Sequence, residues 1–436
     1  MQSPSAKAEG ELFSSLLDYL KRIPDPRSGK RIKHDCAEVL ACLVLGFCAG
    51  RTTIDHAMKW CEHNIDVLKK HMGLKNGIAS DSTAWRILSG TDVSDMSDVF
   101  TQWAGHLVKI KGACLVFDGK GMRASARKMH GERTPYVMNV IENETKLCTA
   151  VVPVGEKENE KAAFHRILDS LDMEGTFVLA DAMATDSKIM GHLQENGAHF
   201  FFQVKKNNPE TYRQLTEQMG ALQEEIGKIK KDNTYKSVYE DAIKSYSYFE
   251  NNEKNRERWE YRRCYTTNDV GLLDRSRTDL CFLKTIGVVK QARVPIEWDA
   301  DGNDVTPGYK DFLKNGSRTN PNPAEGDGIK DDITTVGIVS DVELDSETSL
   351  GAKRAYWSIE NKLHYVLDNV LLEDRCTAKN SKNQFSIIRR FAYNVLRTIQ
   401  IREGFPENNM KDVAYAFCDN APNYIEYVLG CMAGFA

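Results

Sequence analysis

The chain has 436 residues, of which 41% are hydrophobic and 28% charged, and a formal net charge of −4. That is the balance of an ordinary soluble protein, long enough for two or three domains with buried cores. No apolar run approaches the roughly 20 residues needed to span a bilayer. Ala41–Gly50 comes nearest and reads as a buried helix, and Met1–Gly10 is polar, so a cytoplasmic protein with no membrane partner is expected. The eleven cysteines include no C-x-x-C pair, which favours reduced, mostly buried thiols over zinc sites.

The charge is unevenly spread. Residues 291–350 carry 5 Lys+Arg against 13 Asp+Glu, whereas the remainder carries 53 against 49. One acidic stretch thus masks a mildly basic remainder, and net charge neither establishes nor excludes a nucleic-acid partner.

Residues 1–110 read as an all-helical domain. Leu12, Leu16, Leu17 and Leu20 keep helical spacing until Ile23-Pro24-Asp25-Pro26-Arg27-Ser28-Gly29 breaks it. Glu38–Ala49 is a strongly apolar helix and Asp55–His71 an amphipathic one. Ser80-Asp81-Ser82-Thr83 supplies N-cap oxygens to a helix starting near Ala84. Helix-turn-helix packing would suit such a set.

Residues 111–210 change texture. Ala113–Phe117 is a short apolar strand ending at Asp118, followed by strand candidates Tyr136–Ile141 and Leu147–Val154. A helix over Glu160–Leu171, a strand Thr176–Ala180 ending at Asp181, a helix Ser187–Glu195 and a strand His199–Val204 complete the run. A hairpin followed by crossovers to parallel strands is the α/β, ribonuclease H-like arrangement. Residues 211–350 read as a β-rich insertion, with a strand near Cys281–Val289 and an acidic, solvated loop between Pro295 and Asp332. Residues 351–436 return to helix.

Three acids stand out. Asp118 and Asp181 each close an apolar strand, where loops leave a sheet and ligands gather. Glu360 lies in Trp357-Ser358-Ile359-Glu360-Asn361-Lys362-Leu363-His364, four residues before His364 and on the same helical face. Trp357, Leu363, Tyr365, Val366 and Leu367 supply apolar surface to dock that helix. Singly, each acid has a plain explanation: a strand-ending turn former, or a solvated helix carboxylate. Jointly, three converging oxygens suit a hard divalent cation. Asp368 shares the face of Glu360 and is its rival as third carboxylate, and a histidine placed like His364 is more often packed or capping than catalytic. Glu373-Asp374 reads as a helix-end charge pair. Gly119 would let backbone approach a ligand closely, with Lys120 and Arg123 adding cations beside Asp118. Walker, G-x-S-x-G, H-E-x-x-H and kinase patterns are missing from the sequence, which argues against those chemistries.

From about Leu12 to Arg402 the chain resembles bacterial insertion-sequence transposases of the DDE superfamily, in the branch that includes the H-repeat-associated proteins. The likeness rests on Ile23-Pro24-Asp25-Pro26-Arg27, the Ser80–Arg86 segment, Asp118-Gly119-Lys120 with Arg123, and Lys157-Glu158-Asn159-Glu160. It continues through Asp181-Ala182-Met183, Val204-Lys205-Lys206-Asn207 and the segment from Trp357 to Asp368. The family usually has glutamine where Asp186 stands, and threonine and glycine at Gly121 and Ala124.

The resemblance implies a metal-dependent recombinase that cuts DNA at element ends and joins the 3′-hydroxyls to a target. It implies that Asp118, Asp181 and Glu360 are the catalytic triad holding two Mg²⁺ or Mn²⁺ ions. Lys120, Arg123, Lys205, Asn361 and His364 would contact DNA, and a homodimer would form in the DNA complex. Two alternatives remain: a decayed or domesticated copy that binds DNA without cutting, and a nuclease of the same fold that cuts without strand transfer.

Overall fold

Periodicity and capping residues set most element boundaries in the computed structural model, which describes residues 15–29, 32–122, 134–155, 158–232, 234–315, 333–376, 378 and 381–430. In chain order the elements are α1 (Leu16–Leu20), α2 (Cys36–Cys48), α3 (Ile54–His63), α4 (Ile65–Leu68), α5 (Asp81–Gly90) and α6 (Val93–Leu107). Then come β1 (Cys114–Gly121), β2 (Tyr136–Glu142), β3 (Cys148–Val154), α7 (Glu160–Ser170), β4 (Phe177–Ala180), α8 (Ser187–Glu195) and β5 (His199–Val204). They are followed by α9 (Pro209–Lys231), α10 (Glu240–Lys244), β6 (Ser247–Asn255), β7 (Arg258–Thr267), β8 (Thr285–Pro295), α11 (Tyr309–Asn315) and β9 (Ile333–Ser340). The last elements among the described residues are α12 (Ser346–Tyr356), a π-helical turn (Glu360–His364), α13 (Tyr365–Asn369), α14 (Lys382–Glu403), α15 (Met410–Asp419) and α16 (Ala421–Gly430).

Two compact units result: Met1–Phe177 with Asn196–Ala198 and Trp357–Ala436, and Val178–Glu195 with His199–Tyr356. In the first, α2 is apolar all round and buried almost end to end, capped by the Asp35 side chain, which accepts from the Glu38 amide. Its Gly46 lets α3 approach so closely that a Cβ there would stand 2.5 Å from the Ala57 Cβ. Asn64 interrupts the expected single helix over Asp55–His71 and leaves α3 and α4. Ser80 caps α5 through the Thr83 amide, as its position predicts.

Strands β1, β2 and β3 form an antiparallel meander in the order β3-β2-β1. Helix α14 packs against α2, α6 and β3 and is buried over most of its length, polar residues included. Most of those polar groups are matched rather than stranded, Arg390 Nη2 being the exception among the described residues of the helix. Asn394 bonds both backbone groups of Cys148 at 2.8 Å, Arg389 donates to the Leu371 carbonyl at 2.9 Å, and Arg397 to the Thr145 carbonyl at 2.7 Å.

The second unit has six strands in the order β4-β5-β9-β8-β7-β6. From β5 through β9, β8 and β7 to β6, every neighbouring pair is antiparallel. The stretch read as β-rich from 211 begins instead inside the 23-residue helix α9, which Pro209 opens at its first turn. Strand β8 runs six residues past the expected Val289, because β7 offers partners as far as Arg258 opposite Pro295. The acidic run beyond it is not plain loop: Trp298 bridges Asp304, and α11 buries Tyr309 and Phe312 against Tyr261, Ala292 and Val294. Residues 316–332 of that run lie outside the described residues.

The order β1-β2-β3-α7-β4-α8-β5 is the order the sequence predicts. Among the described residues, no helix is long and apolar enough to cross a membrane.

Candidate functional site

Asp118 does not end its strand. Strand β1 continues through Gly121, and Asp118 pairs with Asn139 of β2 in the middle of the ladder. The reason lies in the partner: β2 supplies residues Tyr136–Asn139 opposite Asp118–Gly121, so backbone bonding persists where the apolar run stops. Gly119 is required there because a Cβ would overlap the Tyr136 ring. The close approach is thus to a tyrosine of the same sheet. Alternation along β1 sends Phe117 to one face, stacked on Phe164 of α7 with centroids 4.4 Å apart. Asp118 and Lys120 go to the other face.

That second face meets the C-terminal helices and holds a charged network. Lys120, 7% exposed, places its ammonium 2.7 Å from Asp368 Oδ1 and 3.7 Å from Asp374 Oδ1. Burial raises the Asp368 carboxyl, and Lys120 partly offsets that rise. Deeper, Arg390 is paired with Glu373, both wholly buried. Burial pushes the Glu373 carboxyl up, but the adjacent Arg390 guanidinium, with Arg389 and Lys120, outweighs it and holds the group below its ordinary value. Glu373 is therefore no helix-end surface charge. Arg390 also donates through Nε to Asn139 Oδ1 at 2.9 Å. Asn139 Nδ2 lies 3.4 Å from His364 Nε2 and 3.3 Å from the Val137 carbonyl. His364 Nδ1 stands 3.6 Å from Asp118 Oδ2, both side chains largely buried. Burial, with help from Lys120 and Arg390, pushes the His364 imidazole down to about 3, so it is neutral near pH 7.

Glu360 and His364 occupy a π-helical turn, a local widening that recurs at functional sites. Glu360 and Asn361 are exposed. Ile359, Leu363, Val366 and Leu367 form the buried stripe. Trp357 and Tyr365, expected to help dock the helix, are instead exposed. Lys362 ties the turn to Glu407 at 3.0 Å and Asn408 at 2.6 Å.

In the second unit Asp181 follows β4, as the sequence predicts, and opens a short 3₁₀ turn by accepting from the Met183 amide at 3.3 Å. Lys205, just past β5, holds Asp181 Oδ2 at 3.0 Å. Asn207 donates to the Ala182 carbonyl at 3.2 Å and fixes the same turn.

Of the eight residues singled out from sequence, Asp118, Lys120, Glu360, Asn361 and His364 belong to the first unit, and Asp181 and Lys205 to the second. Arg123 lies outside the described residues, as does Lys157. His364 faces a carboxylate and an amide, and Lys120 is spent on carboxylates. Sequence reading missed Asn139 and Arg390. The signal for both was present: Asn139 interrupts the apolar run Tyr136–Ile141, and Arg389-Arg390 sit within an otherwise apolar helical stripe. The oxygen donors are of the kind a hard cation takes. Among the described residues, no group of three or more His, Cys, Asp or Glu side chains is gathered to hold a metal ion.

Residues 73–395 match the family described as the transposase DDE domain, and residues 17–104 match a second family described as associated with it. "Putative transposase YncI" of Escherichia coli O157:H7 is 25% identical over 423 residues, covering 96% of this chain and 95% of its own length. "H repeat-associated putative transposase YhhI" of Escherichia coli (strain K12) is 24% identical over 406 residues, covering 92% and 95%. With about three quarters of its length matched by one domain family, and relatives alike from end to end, the chain belongs to the transposase DDE domain family.

Proposed function

We propose that this protein is a DNA transposase that cleaves DNA at the ends of its insertion sequence and transfers the freed strands to target DNA. The observation that carries the reading is the DDE-domain match itself, whose span of 73–395 includes Asp118, Asp181 and Glu360. The element order β1-β2-β3-α7-β4-α8-β5 supports a ribonuclease H-like core.

In this reading Asp118, Asp181 and Glu360 are the ligands of two Mg²⁺ or Mn²⁺ ions. Bound there, the ions would activate the attacking hydroxyl and stabilise the leaving oxygen of an in-line displacement at phosphorus. Water attack and 3′-hydroxyl attack are the same displacement, so one set of carboxylates serves both. Asp181 already keeps a cation, the Lys205 ammonium, at 3.0 Å. That side chain is partly exposed and can swing to a phosphate oxygen. Asn361, exposed beside Glu360, offers an amide to a base or sugar. Lys120 acts from beneath, holding Asp368 and Asp374 rather than DNA. Asp368, so engaged, is the weaker candidate for third carboxylate. Joining two element ends needs two copies of the chain in the DNA complex.

The test is Mg²⁺-dependent cleavage and joining of DNA carrying the element's terminal repeats. Asp118→Asn, Asp181→Asn and Glu360→Gln should each lower both activities by on the order of 10³-fold or more, with DNA binding retained. Cutting without joining would make the protein a nuclease. Binding without cutting by the unaltered chain would make it a domesticated DNA-binding protein. Loss of activity with Asp368→Asn but not Glu360→Gln would move the third ligand.

A further inference from the structure

We infer that His364 is a positioning residue for Asp118, held as its Nδ1–H tautomer by a relay that runs from Arg390 through Asn139. The inference rests on the proposed role of Asp118 as a metal ligand and deepens it.

The hydrogen-bond chemistry leaves one assignment. A guanidinium only donates, so the Asn139 atom 2.9 Å from Arg390 Nε is its carbonyl oxygen. The Asn139 amide nitrogen then faces the Val137 carbonyl at 3.3 Å and His364 Nε2 at 3.4 Å. An amide N–H pointing at Nε2 requires a lone pair there. With a lone pair on Nε2, the ring proton is placed on Nδ1, which stands 3.6 Å from Asp118 Oδ2. At that separation the contact is a dipole aimed at a carboxylate rather than a formed hydrogen bond. The opposite tautomer would aim a lone pair at the same oxygen and repel it. Arg390 cannot drift from its place, because Glu373 and the Ser386 carbonyl, at 3.0 Å, hold it in a fully buried slot. Asn139 is fixed in turn by its cross-strand position opposite Asp118.

The consequence concerns charge. A neutral donor orients Asp118 without itself adding a positive charge beside it, which a lysine or arginine in the same place would do. Partners that orient a ligating carboxylate or histidine typically contribute 10–100-fold in metal affinity.

The experiment uses the full chain, labelled with ¹⁵N-histidine and free of metal, and reads the His364 ring nitrogens by NMR, with His364→Asn identifying the signal. The expected result is a protonated Nδ1 and a bare Nε2, becoming a tautomer mixture in Asn139→Leu. A protonated Nε2 in the unaltered chain overturns the inference.

Calorimetric titration with Mn²⁺, without DNA, provides the second readout. His364→Asn places an amide N–H near the Nδ1 position and should stay within about threefold of the unaltered chain. His364→Gln reaches the Nε2 position instead and should weaken Mn²⁺ binding by about 10–100-fold. Equal behaviour of the two variants overturns the inference, even if Asn139→Leu fails to fold. Asp118→Asn separates the layers: if it binds Mn²⁺ and cleaves DNA normally, the role assigned to Asp118 fails. If it is inactive while the tautomer is wrong, the relay alone fails.

Discussion

Arg390→Met tests the buried network most directly, and its cost can be worked from the structure. Arg390 and Glu373 have side chains 0% and 1% exposed and are paired with each other. Removing the guanidinium leaves a carboxylate with no route to water, a situation that costs about 3–5 kcal/mol. The carboxylate can escape by taking up a proton. At pH 7, protonating a glutamate of ordinary pKa 4.5 costs about 1.4 kcal/mol per pH unit, or roughly 3.4 kcal/mol. At pH 5 the same escape costs only about 0.7 kcal/mol.

The penalty of Arg390→Met should therefore be about 3–4 kcal/mol at pH 7 and fall steadily as pH is lowered to 5. The loss of a donor to Asn139 Oδ1 adds about 1 kcal/mol or more, independent of pH. The double variant Arg390→Met/Glu373→Gln should recover most of the pH 7 loss and abolish its pH dependence. Hydrogen exchange read on peptides of α14 reports the local opening free energy that this reasoning concerns. A penalty that is flat from pH 5 to 7, or one that Glu373→Gln leaves untouched, would refute it.

Three further outcomes follow from single contacts. Lys353 is nearly fully buried, and burial with Arg262, Lys205 and Arg293 nearby pushes its ammonium down to about 8 from 10.5. Below pH 8 it is charged in folded and unfolded chain alike and pays the full burial penalty, so Lys353→Met should stabilise by roughly 3 kcal/mol at pH 7. That gain should vanish between pH 8 and 10.5 in chemical denaturation, and a pH-independent gain would exclude the titration as its cause. Gly119→Ala drives a methyl group into the Tyr136 ring and should cost about 1–3 kcal/mol by overpacking, with Tyr136→Ala relieving it; an unshifted thermal midpoint would show the approach to be slack. Lys205→Met breaks a partly exposed pair and should change stability by less than about 1 kcal/mol. If Lys205 reaches a phosphate, the same change lowers the slope of log affinity against log salt by about 0.9; an unaltered slope would assign the side chain to Asp181 alone.

Where local chemistry decides a boundary, the sequence predicts it closely. Helix α8 and strand β5 fall where periodicity and flanking turns put them, and Ser80 caps α5. Asp181 directly follows its strand, because β4 ends with its apolar run. The same rule misplaced Asp118, since β1 continues only because Tyr136–Asn139 lie opposite. The acidic run after β8 looked like loop by composition. Yet Tyr309 and Phe312 find an apolar patch on β7 and β8 and fold as α11 around it. Trp357 and Tyr365 counted as docking surface in a list of residue types, whereas the packed stripe uses Ile359, Leu363, Val366 and Leu367 and leaves both rings outside.

By itself the amino-acid order determined the succession of elements, the caps and the positions of the three acids along the chain. These depend on interactions within a few residues, where side-chain period and turn chemistry suffice. Tertiary structure decided which charges are occupied: Lys120 with Asp368 and Asp374, Arg390 with Glu373 and Asn139, and His364 against Asp118. A residue's identity states that it can donate or carry charge. Only burial among partners, most of them more than two hundred positions away, determines whether that capacity is free for DNA or already spent within the fold.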